Sequence, residues 1–175
     1  MQKFLFMIVM GMLIALASGC KGKEPDTRTT TTIREIMAST VAPNTDTLFN
    51  AVSSSVTPQG VEEKSPHTDA EWADLRKKTM DLIEASDLIV TPGRLVAHRG
   101  EQAKNPLVQL SPEEIEALIG KERTSWVQLA HDFHESLQPM LKAIDAKNPA
   151  ALSESSVAID ATCQACHMKF WYPEK

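Results

Sequence analysis

The sequence predicts an all-α fold, an antiparallel bundle of four helices, and three observations carry that expectation. Apolar residues recur at three- and four-residue steps through four separate segments, the period of one helix face. Helix-start signals open three of them: Thr68 with Glu71 and Ser111 with Glu114 have the spacing of a capping box, and Asn148-Pro149 is a cap residue followed by proline. No stretch alternates apolar and polar residues convincingly, as a half-buried strand does. The chain also holds only 7 Gly and 1 Tyr in 175 residues, few of the residues that mark β-turns or enrich strands.

The first helix is expected from about Thr32 to Ser55. Ile33, Met37, Thr40, Val41, Leu48 and Val52 share its apolar face, and Pro43 predicts a kink or short break because proline has no N–H to donate. The second runs from about Asp69 to Val90 on Trp72, Leu75, Thr79, Leu82, Ile83, Ser86 and Ile89, and Thr91-Pro92-Gly93 stops it. Residues 92–110, with Gly93, Gly100 and Pro106, form a long connection whose path the sequence leaves open.

Ser111 caps the third helix and Pro112 fits its first turn. Its stripe continues through Ile115, Leu118, Ile119, Trp126, Leu129, Ala130, Phe133, Leu137, Leu141 and Ile144, and Pro139 predicts a bend. The fourth starts at Asn148 and reaches about Phe170. Ile159, Cys163, Cys166 and Phe170 step by four, three and four, which puts both thiols on its buried face. Mostly short polar links between four such helices predict antiparallel packing within one domain over residues 32–175.

The N-terminus reads as an export signal. Lys3 gives a positive start, and the apolar run from Phe4 to Ala17 is too short to span a bilayer comfortably. The run closes on Ala17-Ser18-Gly19-Cys20, which resembles a bacterial lipobox. That resemblance implies removal of residues 1–19 and acylation of Cys20, with residues 20–31 as a flexible tether. Ala17 stands where Leu is commoner, so ordinary cleavage and an uncleaved anchor stay open as alternatives. Lys21 in place of Asp after the cysteine points, by resemblance to enterobacterial sorting, to the outer membrane. The net charge of −5 becomes more negative once Lys3 is removed, and an acidic surface repels phosphate backbones, so no nucleic-acid partner is expected.

Lipidation of Cys20 leaves two cysteines, and they form Cys163-Gln164-Ala165-Cys166-His167. This is the CxxCH pattern of c-type haem attachment, in which each thiol adds to one haem vinyl group and the histidine binds iron. The spacing suits that chemistry. Residues i, i+3 and i+4 lie on one side of a helix, so one short segment carries two tethers and an axial ligand. The expectation is one covalent haem c near the C-terminus of the bundle. Three other uses of the cysteines compete. A redox CxxC normally opens a helix after a strand, zinc needs a second ligand pair that is not apparent, and a structural disulfide leaves His167 unexplained.

A helical bundle with CxxCH near its C-terminus resembles the class II cytochromes c, over about residues 30–172. The resemblance rests on Cys163-to-His167 followed by Phe170, on helix order, and on Ile33-Arg34-Glu35-Ile36-Met37 opening the first helix. It implies that the first helix supplies the residue on the far side of the iron. In low-spin members that residue is Met, which makes Met37 the candidate sixth ligand; a Met on a helical apolar face is also ordinary core. It further implies an early Arg, here Arg34, facing a haem propionate, although an exposed arginine is equally compatible. The family often has a basic residue where this chain has Trp171, with Lys169 as a possible substitute. A homodimer through the first two helices is also compatible with the family.

Met80, Met140, His131 and His134 are weaker ligand candidates, and His67 and His98 lie in links. No Ser-His-Asp set, phosphate loop or carboxylate pair stands out, so no enzymatic activity is expected. The function expected is electron carriage on the periplasmic side of a bacterial membrane, with periplasmic or membrane redox proteins as partners and the lipid as anchor. The alternative is a five-coordinate, cytochrome c′-like haem protein that binds small gases such as NO or CO. A lipoprotein without haem, using its helices only for interaction, is the remaining reading.

Overall fold

The computed structural model describes residues 30–172. The expected signal, Cys20 and all but the last two residues of the tether lie outside the described residues. The described residues are mostly helical, with one two-stranded sheet.

A capping box starts the first helical stretch. The Thr32 hydroxyl accepts the Glu35 N–H at 3.2 Å, and the Glu35 carboxylate accepts the Thr32 N–H at 2.7 Å. The stretch runs as α1 (Ile33–Ile36), a π-helical turn (Met37–Val41) and α2 (Ala42–Phe49). Its buried apolar anchors explain the irregular turn. They are Ile33, Ile36, Val41 and Leu48, and the step from Ile36 to Val41 is one residue too long for an α-helical face. The Ala42 N–H bonds to the Met37 carbonyl, which absorbs the extra residue and returns Val41 to the core. Pro43 follows directly and cannot donate to Ser39, so the expected break falls just upstream of it.

The stretch ends at Phe49 rather than Ser55, and the chain then forms a hairpin. Strands β1 (Ser53–Thr57) and β2 (Gly60–Lys64) pair antiparallel, with Val56 opposite Val61. Pro58 and Gln59 make the turn, and Gly60 has φ 132°, a conformation that suits glycine. The all-α expectation is corrected here. The strands are almost wholly exposed, so the hairpin has no buried face to impose the alternation by which strands are recognised.

Helix α3 (Asp69–Ile89) opens on the expected Thr68–Glu71 capping box and buries Trp72, Leu75, Thr79, Leu82, Ala85, Ser86 and Ile89. The link after it crosses the start of α1. The carbonyls of Leu95 and Val96 accept the N–H groups of Ile33 and Arg34, both at 2.9 Å, satisfying donors that a helix N-terminus leaves open. Buried Arg94 fastens this link by donating to the carbonyls of Leu88 and Thr31.

The expected third helix is divided. Helix α4 (Pro112–Lys121) and α5 (Arg123–Asp145) meet at Glu122, whose φ −115° and ψ 40° leave the helical region. The segment from Gly120 to Arg123 carries no apolar side chain. Instead Glu122 pairs with Lys169 at 2.6 Å, and the Arg123 guanidinium donates to the Val90 carbonyl. Pro139 is accommodated inside α5 on an exposed position. Helix α6 (Pro149–Phe170) begins with the Asn148 side chain accepting the Ala151 N–H at 3.1 Å.

The long helices alternate in direction. The Trp126 indole at the start of α5 donates to the Ile89 carbonyl at the end of α3 at 3.3 Å, while Lys147 just past α5 meets Asp69 at the start of α3 at 2.5 Å. Trp126 also packs edge-on against Phe170 at the end of α6, with centroids 5.1 Å apart, and Ser136 meets Thr162 at 3.3 Å. Leu82, Leu137, Met140, Ile159 and Phe170 are fully buried among these helices. Each contributes about 1.5–3 kcal/mol by leaving water. No helix among the described residues is long and apolar enough to cross a membrane.

Candidate functional site

Cys163, Cys166 and His167 occupy the last turns of α6; the two thiols lie on the face that runs from Ile159 to Phe170, and His167 is exposed beside it. Both thiols are half-buried and neither is in a disulfide. Burial, reinforced by the nearby Asp160 carboxylate, pushes the Cys163 thiol up to about 11. Burial and the neighbouring Cys163 push Cys166 up to about 12. Both are therefore protonated at neutral pH, the opposite of the lowered pKa that activates a thiol-exchange CxxC.

His167 lies at the surface of α6, and partial desolvation holds its pKa below the ordinary histidine value. Trp171 and Tyr172 flank its ring edge-on, at 6.1 and 6.5 Å between centroids. They wrap back because both of their N–H groups bond to the His167 carbonyl, at 2.8 and 2.9 Å. The link after α3 pins this end. Leu110 N–H donates to the Trp171 carbonyl at 3.1 Å, and the Gln109 amide donates to the Tyr172 hydroxyl at 3.0 Å.

Two adjoining cavities of about 400 and 430 Å³ lie between this end of α6 and the first helical stretch. Such volumes are typical of small-molecule sites. Met37, Ala42, His167 and Tyr172 border both. One cavity adds Cys163, Gln164 and Met168 with Val41, Phe49, Asp46 and Asp160. The other adds Arg34, Ala38, Val96, Lys104, Gln109 and Trp171. A cavity of about 530 Å³ between the first helical stretch and α3 carries Ser39, Thr40, Asn44, Asp81 and Glu84 and presents neither thiol nor imidazole.

The fold thus brings Met37 and His167 to the same two cavities and Cys163 to one of them. Cys166 borders neither and packs against the core. Arg34 reaches the second cavity, but its guanidinium meets Glu101 at 2.9 Å and the Gln102 carbonyl at 3.0 Å. Lys169 faces Glu122 instead. Met140 is core and Met80 is exposed. His134 meets Ser86 at 3.2 Å, exposed His131 lies beside Glu135 at 3.9 Å, and His98 pairs with Glu35 at 2.9 Å. His67 is exposed beside Glu71. Lys104, Gln109 and Tyr172 were not marked by the sequence. They lie in the link and beyond the last helix, where no periodicity shows which side faces a cavity.

The donor set suits a covalently tethered haem better than a bare ion. Two thiols outside any disulfide and an imidazole share one helix, and the Met37 thioether side chain borders the same two cavities as the imidazole. Among the described residues no group of three or more His, Cys, Asp or Glu side chains is arranged to hold a metal ion. No protein-family model matches this chain, and no curated protein and no solved structure matches it either.

Proposed function

We propose that this chain is a c-type haem protein with the antiparallel four-helix bundle of the class II cytochromes c, carrying electrons without substrate turnover. Cys163 and Cys166 would form the thioether links, with His167 and Met37 as axial ligands and a lipid on Cys20 holding the domain to the periplasmic side of a membrane. The observation that carries this reading is the shared border of Met37 and His167 on the two cavities beside Cys163.

When bound, the haem supplies a reversible one-electron couple. The chain's own residues set its environment. Trp171 and Tyr172 hold the imidazole ring edge-on, the Phe170–Trp126 contact fixes the end of α6, and Val41 and Phe49 line one cavity with apolar surface. A thioether is a soft, neutral ligand that favours the reduced state.

The same apolar side chains support a second reading. Space beside Val41, Ala42 and Phe49 would admit a small gas if Met37 stays off the iron.

Two measurements decide. Colour that stays with the polypeptide through denaturing electrophoresis is expected, and its loss sinks both haem readings. A near-infrared methionine–iron charge-transfer band in the oxidised protein, abolished by Met37→Ala, is expected for the electron carrier. High-spin iron with ready carbon monoxide binding in the unmutated protein would select the gas reading instead.

A further inference from the structure

The ionisable side chains bordering the two cavities differ in sign. Asp46 and Asp160 border the one beside Cys163, whereas Arg34 and Lys104 border the other. An amphiphilic ligand tethered through the thiols, with carboxylates on its opposite edge, escapes like-charge repulsion when those carboxylates point to the cationic end. At that end the two basic residues are not equivalent. Arg34 is already matched by Glu101 and by the Gln102 carbonyl. Lys169, on the same helix as His167, is matched by Glu122. Lys104 makes no ion pair among the described residues.

The backbone around Lys104 is held on both sides. Arg34 donates to Gln102 on one side. On the other, Asn105 N–H donates to the Gln109 side chain at 3.2 Å, Gln109 N–H returns to the Asn105 carbonyl at 2.9 Å, and the Gln109 amide reaches Tyr172. The lysine therefore rises from a pinned loop at the cavity rim, and its four-carbon stem lets the ammonium follow a carboxylate.

We propose that Lys104 is the anion-binding residue of this site, taking a ligand carboxylate that, on the haem reading on which this inference rests, is a propionate. Arg34 then holds the loop that presents Lys104, through Gln102, and is not itself the main propionate partner. The assignment departs from the sequence expectation, which placed Arg34 at a propionate and offered Lys169 only in place of the basic residue missing at Trp171.

Carbodiimide coupling of the haem-loaded protein tests it. Water-soluble carbodiimide joins an amine to a carboxylate in contact with it, with loss of water. Digestion and mass spectrometry should then find the Lys104 peptide linked to the haem-bearing Cys163–Cys166 peptide, and Lys104→Gln should abolish that product. The reduction potential should fall in Lys104→Gln, because a cation near the iron is gone, and return in Lys104→Arg. A haem-bearing peptide without the Lys104 link, and a potential unmoved by Lys104→Gln, overturns the assignment while the haem reading stands. Absence of any haem-bearing peptide overturns the haem reading, and this assignment with it.

Discussion

At the residue scale, Glu35 carries two roles in one carboxylate. Its oxygens accept the Thr32 N–H that caps α1 and also meet His98 at 2.9 Å. The Thr32 N–H, then His98 and the Thr32 hydroxyl, pull its pKa down to about 2. The same pairing raises His98, chiefly through the Glu35 bond and its charge, with a smaller push from Glu101. The signs give a window. Stabilisation through Glu35 is present above its unfolded pKa and lost as pH falls toward about 2. Stabilisation through His98 is complete below its unfolded pKa, near 6.5, and is lost as pH rises through the raised folded value. The pair thus acts most between about pH 5 and 6. His98→Asn should lower Tm at pH 5.5 and leave it nearly unchanged at pH 9, measured at low salt because both groups are exposed. An equal loss of Tm at both pH values would mean that His98 acts by packing and not by charge.

At the scale of elements, the π turn makes a sharper prediction. Deleting exposed Ser39 reduces the Ile36-to-Val41 step to four, the spacing of a continuous α-helix, so all four anchors keep their burial. Stability should change by less than about 1 kcal/mol. Inserting Ala after Thr40 instead turns Val41 and Leu48 by about 100° away from the core. Withdrawing both from burial should cost about 3–6 kcal/mol, read from urea midpoints. If deletion and insertion cost the same, the anchors do not set the turn.

This asymmetry also marks what was legible in the sequence. Helix starts were readable because Thr68, Ser111 and Asn148 each act on the donor three residues away, and local chemistry leaves local traces. The CxxCH set was readable for the same reason, lying on one helix. The break near Pro43 was readable, although its π geometry depends on which residues the rest of the fold buries. The hairpin and the split at Glu122 escaped because neither leaves an apolar pattern. Lys104, Gln109 and Tyr172 escaped because contacts across more than 60 residues place them.

At the scale of the whole molecule, the helices are not joined equally. Helices α3, α5 and α6 share the fully buried Leu82, Leu137, Met140, Ile159 and Phe170 and are tied by Trp126 at one end of α5. The first helical stretch is anchored on its other sides. Ile33, Ile36, Val41 and Leu48 belong to the core, and the link after α3 caps α1, yet cavities of about 400 and 430 Å³ lie between Met37 and His167 on the α6 side. Cavity walls lack partner atoms on one side and give up dispersion contacts. On the proposed function, a haem tethered through Cys163 and Cys166 fills that gap and ties the first stretch to α6 through Met37. The double variant Cys163→Ala/Cys166→Ala, lacking the covalent tether, should therefore fold but loosen unevenly. Amide hydrogen exchange should quicken first at Met37–Val41, where the π turn already replaces α-helical hydrogen bonds, while α5 stays close to its rate in the haem-loaded protein. Met37→Ala in the haem-loaded protein should reproduce part of that loosening, since it removes the link to the first stretch and keeps the tether on α6. Uniform quickening across all helices in the double variant would show that the haem site is integral to the core, and that no single face of the first stretch depends on it.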